Sequence, residues 1–527
     1  MSGEKYPVSD ENSQFKHQYR VVGTMTDRAN VLLVILDSVR AENTSLHGYE
    51  RETTPFLEGF ADRATWYRQA RAPGIHSIAS HVSMFTGAHV EEHRALHHTA
   101  QIDLEETVWR DLAAEGYATG LFTNNRIVSN ASNLGEAFDH LYTPEYSLAK
   151  RLENTLGNPL VERTYFRIAD TTARVSEGIQ SGPAPLRAAA SAAGSAADWI
   201  GGLTGGDDDG DDDSDDSPGG FKTEFGGTFT DAFLDWEDRQ DGPWAACINL
   251  MDAHSPYEPE PEFDKWGSEA DREAQDSGMP SVRETLADRG WDRLAALEPL
   301  YDGTIRQADA VVRELIADLE RRGALSETLV IVTSDHGEAF GEQSRVDPDL
   351  RLREHKWGIH EVLTHVPLVV QYPGQETGRT VDEVVSLTDI PAVATDLDAA
   401  VGVEGGDASE DRDPFVTGGP VLASTFRLPE SKVAKYRSVD GVERFVGPWR
   451  AVYETREDAV RTFASRGEDH VTADVEFNGD ATVVSRDRHD RVTGAYGRLE
   501  ASDVVTEETT EIDDDLEDQL EHLGYIR

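Results

Sequence analysis

Cysteine is almost absent from this chain. One residue, Cys247, stands among 527. A disulfide framework is therefore excluded, and with it the small stapled secreted folds. Positive charge is scarce as well. There are 49 Lys and Arg against 100 Asp and Glu, a formal net charge of −51. Such a surface repels nucleic acid and anionic membranes. The acidic excess is spread along the chain, which fits a salt-rich cytoplasm. At about 1 M salt the Debye length falls to about 3 Å, so the repulsion is screened. Long apolar runs are missing too. No stretch reaches the roughly 18 residues of a membrane span. The N-terminal M-S-G-E-K-Y-P-V-S-D has neither an apolar signal segment nor a twin arginine. The expectation is a cytoplasmic protein with no nucleic-acid partner and no membrane span.

What is present is a set of short apolar runs that end in polar, chemistry-bearing residues. Thr328-Leu-Val-Ile-Val-Thr333 reads as a buried parallel strand, and S-D-H-G-E follows it at 334–338. Asp335 and His336 thus fall where open α/β sheets hold ligands. A carboxylate and an imidazole suit a divalent metal. Asn30-Val-Leu-Leu-Val-Ile-Leu36 is a second such strand, ending in Asp37-Ser38. Asp37 either caps the next loop or supplies a second metal carboxylate; burying it unpaired is costly.

Ala72 to Gly87 runs from a Pro-Gly loop into a short apolar helix. Ser77 falls at its start, where unpaired N–H groups favour an anion. A serine there is an ordinary N-cap, or beside a metal it is a nucleophile. A third run, Ala245 to Met251, leads into D-A-H-S-P-Y, so His254 also stands at a strand end. It can protonate a leaving group.

The motifs N-V-L-L-V-I-L-D-S-V-R-A-E-N-T-S-L-H-G-Y, T-T-P-F-L, S-I-A-S-H-V-S-M-F-T-G, D-A-H-S-P-Y, Y-D-G-T-I-R-Q-A-D, L-V-I-V-T-S-D-H-G-E and K-W-G-I-H-E-V-L-T-H-V-P-L-V occur in that order. Together they resemble the sulfatase branch of the alkaline phosphatase superfamily. The resemblance implies an α/β fold of the alkaline phosphatase-like sandwich type, with a central mainly parallel sheet. It implies a metal-dependent sulfate-ester hydrolase, with a sulfated glycan as one substrate class. Asp37, Ser77, Asp335 and His336 match metal ligands, and Ser77 also matches the nucleophile. His254, Lys356 and His355 match further catalytic and substrate-contacting positions. One divalent ion is implied, with calcium first and manganese or zinc as alternatives.

The departures bear on chemistry. The family motif C/S-x-P/A-x-R reads Ser77-Ile-Ala-Ser-His81 here. The missing arginine argues against conversion of Ser77 to formylglycine. Ser38 replaces the second carboxylate of the usual Asp-Asp pair. Asn124-Asn-Arg126 replaces a lysine-bearing segment. His81 and Arg126 are the expected substrate-binding residues in their place. A phosphodiesterase or a phosphoglycan or phosphoglycerol transferase on the same scaffold is the second reading. A catalytically dead protein that binds anionic glycans is the third.

The expected organisation is an extension over 1–29, a catalytic domain over 30–403 and a small antiparallel subdomain over 404–527. Within the catalytic domain the pattern fails near 181–220. Eight of the ten residues from Asp207 to Asp216 are aspartates, which reads as an acidic disordered insert. Leu104, Val108 and Leu112 predict one helical face before Gly116. Ile305, Ala308, Val312, Leu315 and Leu319 predict a core stripe closed by Gly323. Leu516, Leu520 and Leu523 predict a C-terminal helix.

Overall fold

The computed structural model describes residues 28–143, 226–396, 413–426, 439, 441–477 and 479–507. The acidic insert, the expected boundary at 403 and the Leu516–Leu523 helix lie outside them.

Consecutive apolar residues build the centre of the molecule. The main sheet contains β1 (Asn30–Leu36), β2 (Thr65–Arg71), β4 (Ala118–Thr123), β5 (His140–Tyr142), β6 (Trp244–Leu250), β7 (Thr328–Thr333), β10 (Leu368–Gln371) and β11 (Arg379–Ser386). Two short pairs lie outside it: β3 (Gln101–Ile102) with β17 (Val505–Glu507), and β8 (Phe340–Gln343) with β9 (Arg351–Arg353). The order across the main sheet is β11-β2-β10-β7-β1-β6-β4-β5. Only β10 runs antiparallel to its neighbours, so the sheet is mainly parallel, as expected.

In β1, Leu32, Val34 and Leu36 face one core and Val31, Leu33 and Ile35 the other. Burial on both faces explains why the strand is apolar at every position instead of alternating. The helix Glu298–Arg322 covers the first face with Ile305, Ala308, Val312, Leu315 and Leu319, all buried. It stops at Gly323, whose φ of 78° suits a residue without a Cβ. The helix Ser77–Thr86 lies on the second face.

The predicted helix through Leu104 is shorter than its apolar spacing suggests. A 3₁₀ turn over Leu104–Glu106 comes first, and the α-helix runs Val108–Ala114. Thr107 separates them. It is extended (φ −93°, ψ 142°), and its hydroxyl donates to the Leu104 carbonyl at 2.7 Å. A local side-chain bond has displaced a helical one.

The second sheet is antiparallel and five-stranded: β12 (Val421–Thr425), β13 (Trp449–Thr455), β14 (Ala459–Arg466), β15 (Asp469–Glu476) and β16 (Ala481–Ser485), in that order. It is tied to the segment that precedes β10 by buried hydrogen bonds. Thr364 and Tyr453 share one at 2.8 Å, and Thr462 donates to Glu361 at 3.2 Å.

Candidate active site

Parallel strands carry their ligand sites at the carboxyl ends. Here β7, β1, β6 and β4 are neighbours, and each ends in a polar segment. Asp335 and His336 follow β7, Asp37 follows β1, His254 follows β6 and Asn125 follows β4.

Asp37, Asp335 and His336 are fully buried. One ligand atom from each lies within 4.8 Å of the others. His336 Nδ1 is 2.9 Å from the Gly337 carbonyl, which can only accept. That nitrogen therefore carries the proton, and Nε2 is the basic one, as a metal ligand requires. Burial pushes the Asp37 carboxyl up to about 7, with the neighbouring Asp335 adding to the effect. Burial does the same to Asp335, also to about 7. Two desolvated carboxylates beside a basic imidazole are a poor arrangement without a cation. The donor set therefore fits a divalent ion.

The turn after β1 is shaped for this purpose. Ser38 adopts φ 65°, uncommon for a residue with a Cβ. Its hydroxyl donates to Asp37 Oδ1 at 2.9 Å, and its N–H points to Asp335 Oδ1 at 3.3 Å. Ser38 replaces a carboxylate of the family pattern, and it now orients the two that remain.

Ser77 is the first residue of the ten-residue helix Ser77–Thr86, and it is 3% exposed. Its side chain neighbours the Asp335 carboxylate and favours the charged form of that group. Ser77 thus starts its helix beside one member of the cluster. His254 and His355 are brought there too. The His355 ring lies 4.5 Å from that of His336 and 5.8 Å from that of His254. Lys356 is partly exposed, and its charge acts on Glu338.

His81 borders the cluster, with Nδ1 3.6 Å from Asp335 Oδ2. The sequence reading puts it on the substrate. In the structure it is fully buried, with Nδ1 2.9 Å from the Ser77 carbonyl and Nε2 3.2 Å from Asn249 Oδ1. Burial pulls its pKa down to about 4. A neutral ring donates to only one of these two oxygens, and it ties the start of the helix to the end of β6. Arg126 is buried one residue beyond Asn125. The member of that segment that touches the cluster is Asn125, whose Nδ2 donates to Asp37 Oδ2 at 3.0 Å. Asn125, Asn249 and Glu338 are the residues that motif reading missed. Asn125 had a usable signal, its place two residues beyond the end of β4.

Comparison with known proteins gives a consistent picture. Arylsulfatase K of Bos taurus is 34% identical over 101 residues, 19% of this chain and 17% of that protein. The Danio rerio arylsulfatase K is 29% identical over 126 residues, 24% of this chain and 22% of that protein. These relatives are thus matched over less than a quarter of their own length. Among solved structures, the phosphonate monoester hydrolase of Agrobacterium radiobacter shares the fold with a TM-score of 0.54 at 19% identity. The likeness covers 85% of this chain and 89% of that one. A protein solved with its substrate D-glucosamine-2-N,6-O-disulfate gives a TM-score of 0.52 at 14% identity, over 85% and 91% of the two chains. The sulfatase family model matches residues 29–400. That span holds Asp37, Ser77, His254, Asp335 and His336, and the chain belongs to the sulfatase family.

Proposed function

We propose that the protein is a metal-dependent hydrolase of sulfate esters, with Ser77 as its nucleophile. One observation carries this reading. Ser77 stands at a helix start beside the Asp335 carboxylate, one member of the cluster of Asp37, Asp335 and His336. Arylsulfatase relatives, matched over part of their length, support sulfate as the ester. Asp37, Asp335 and His336 would hold a divalent ion, which would supply Lewis-acid chemistry to a hydroxyl and to anionic oxygens.

The protein's own groups have the following tasks. Ser77 gives its proton to the neighbouring Asp335 carboxylate as its oxygen bonds to sulfur and the bond from sulfur to the alcohol oxygen breaks; water then cleaves the sulfated serine, releasing sulfate and restoring the hydroxyl. The N–H groups of the first helical turn face the anion. Lys356 draws the anionic end of the ester into the site. His254 gives a proton to the departing alcohol; its Nδ1 lies 2.8 Å from the Ser255 carbonyl, which fixes the ring. Ser77 acts as the unmodified hydroxyl. His81, in place of an arginine, supports that part of the reading.

The test uses protein loaded in turn with calcium, manganese and zinc at high salt. Turnover of 4-nitrophenyl sulfate, 4-nitrophenyl phosphate and bis(4-nitrophenyl) phosphate is compared. Preference for the sulfate is expected. Preference for the diester would transfer the site to the phosphodiesterase and transferase reading, which the His81 replacement favours. Turnover of none would leave a binding protein for anionic glycans. The intact mass of the peptide containing Ser77 separates hydroxyl from aldehyde. The acidic surface fits a salt-rich cytoplasm, and activity that persists in molar salt is the matching expectation.

A further inference from the structure

Behind His336 lies a buried carboxyl that the proposed reaction leaves without a task. Glu338 is fully buried. Its Oε2 is 3.3 Å from His355 Nδ1. The Tyr257 side chain lies beside the same carboxyl group. The backbone is fixed as well, since Arg40 donates to the Glu338 carbonyl at 2.9 Å. Arg40 is itself held by Glu298 at 2.6 Å and Glu342 at 2.5 Å.

The consequence falls on His355. Three imidazoles stand in a row, with His336 at 4.5 Å and His254 at 5.8 Å from the central ring of His355. His336 is fixed through Gly337 and His254 through Ser255, each by a local carbonyl. His355 instead depends on a side chain 17 residues away in the sequence. A histidine held by one nitrogen has its plane and tautomer set, so the other ring edge is presented in a defined state. Burying a carboxyl for packing alone is expensive, because an apolar residue of similar volume fills the space at lower cost.

We propose that Glu338 is a positioning residue, which holds His355 so that its imidazole meets the ester oxygens beside His254. This rests on the reading of the site given above. Glu338 touches no substrate and acts only through His355.

A double-mutant cycle tests it. Glu338→Gln, Glu338→Ala, His355→Ala and Glu338→Ala with His355→Ala are compared with wild type on 4-nitrophenyl sulfate. Metal content and urea midpoint are recorded for each. Glu338→Gln is expected to bind metal normally and to lose about 10- to 100-fold in kcat/KM, the usual scale for an outer-shell partner. The double variant is expected to be no slower than His355→Ala, since a residue acting through another adds nothing once that partner is gone. Losses that multiply, or a wild-type rate in Glu338→Gln, would overturn the proposal. If Glu338→Ala does not fold, the cycle is completed with Glu338→Gln. If wild type hydrolyses no aryl sulfate, the sulfatase reading fails separately. The same cycle is then read on vanadate binding to the metal-loaded protein. There, independent losses or an absence of vanadate binding in wild type would overturn the role of Glu338.

Discussion

Asn125 and Asp37 are 88 positions apart, yet Asn125 Nδ2 donates to Asp37 Oδ2 at 3.0 Å. The bond bridges the ends of β4 and β1 across β6, which lies between them. Asp37 therefore has one oxygen held by Ser38 and the other by Asn125. Both carboxylate oxygens are oriented before any cation arrives.

The first prediction concerns that orientation. Asn125→Ala should weaken metal binding by about 10- to 100-fold, the scale for loss of an outer-shell partner. Calorimetric titration of the metal-free variant with manganese measures it. Unchanged affinity would show that Ser38 alone is enough to set Asp37.

What the sequence disclosed and what it hid have physical reasons. The strands of the parallel sheet were legible because burial on both faces makes them continuously apolar. Asp37, Asp335 and His336 were legible because they follow those strands directly. Asn125 was not, because an asparagine in a loop has many local uses, and only the fold brings β4 near β1. The depth of His81 was hidden because its position along the motif says nothing of burial. His81 lies on the inward side of its helix, against Asn249. The break at Thr107 was hidden because an apolar spacing of four survives a change from 3₁₀ to α geometry.

The second prediction concerns the cation. Without metal, Asp37 and Asp335 repel each other in a buried site. Asp335→Asn should therefore leave the metal-free protein as stable as wild type or more so. The rise in melting temperature on adding metal should vanish, because a ligand stabilises only a fold that binds it. Thermal scans with and without calcium and manganese test both parts. A wild-type metal response in Asp335→Asn would remove Asp335 from the ligand set.

The third prediction concerns acid. His93 is buried, with Nδ1 accepting from the Ala95 N–H and Nε2 bonded to the Ser83 hydroxyl, both at 2.9 Å. Burial pulls its pKa down to about 3. The unfolded chain takes up this proton near pH 6.5, while the folded one does not. Stability is thus fully present above about pH 6.5 and is lost as the pH falls. The advantage of wild type over His93→Gln should shrink by about 1.4 kcal/mol per pH unit between pH 6.5 and 5. Urea unfolding at constant high salt measures it. A gap that stays constant with pH would mean that His93 takes up its proton over the same range in the folded protein as in the unfolded chain.

The last prediction concerns Ser77. Its side chain neighbours Asp335, at the first position of a helix whose start faces the cluster. Removing one stabilising donor from an active site costs about 10²–10³ in rate. Removing a nucleophile costs more, because the covalent step is lost altogether. Ser77→Ala should therefore reduce turnover of 4-nitrophenyl sulfate by more than about 10³-fold, with metal still bound by Asp37, Asp335 and His336. Ser80→Ala is the control. Ser80 is fully buried on the same helix, and its hydroxyl has no hydrogen-bond partner among the described residues. It should keep a rate within a few-fold of wild type. Loss of activity in both variants together with loss of metal would trace the effect to the helix and not to the hydroxyl. Near-wild-type turnover in Ser77→Ala would exclude Ser77 as nucleophile.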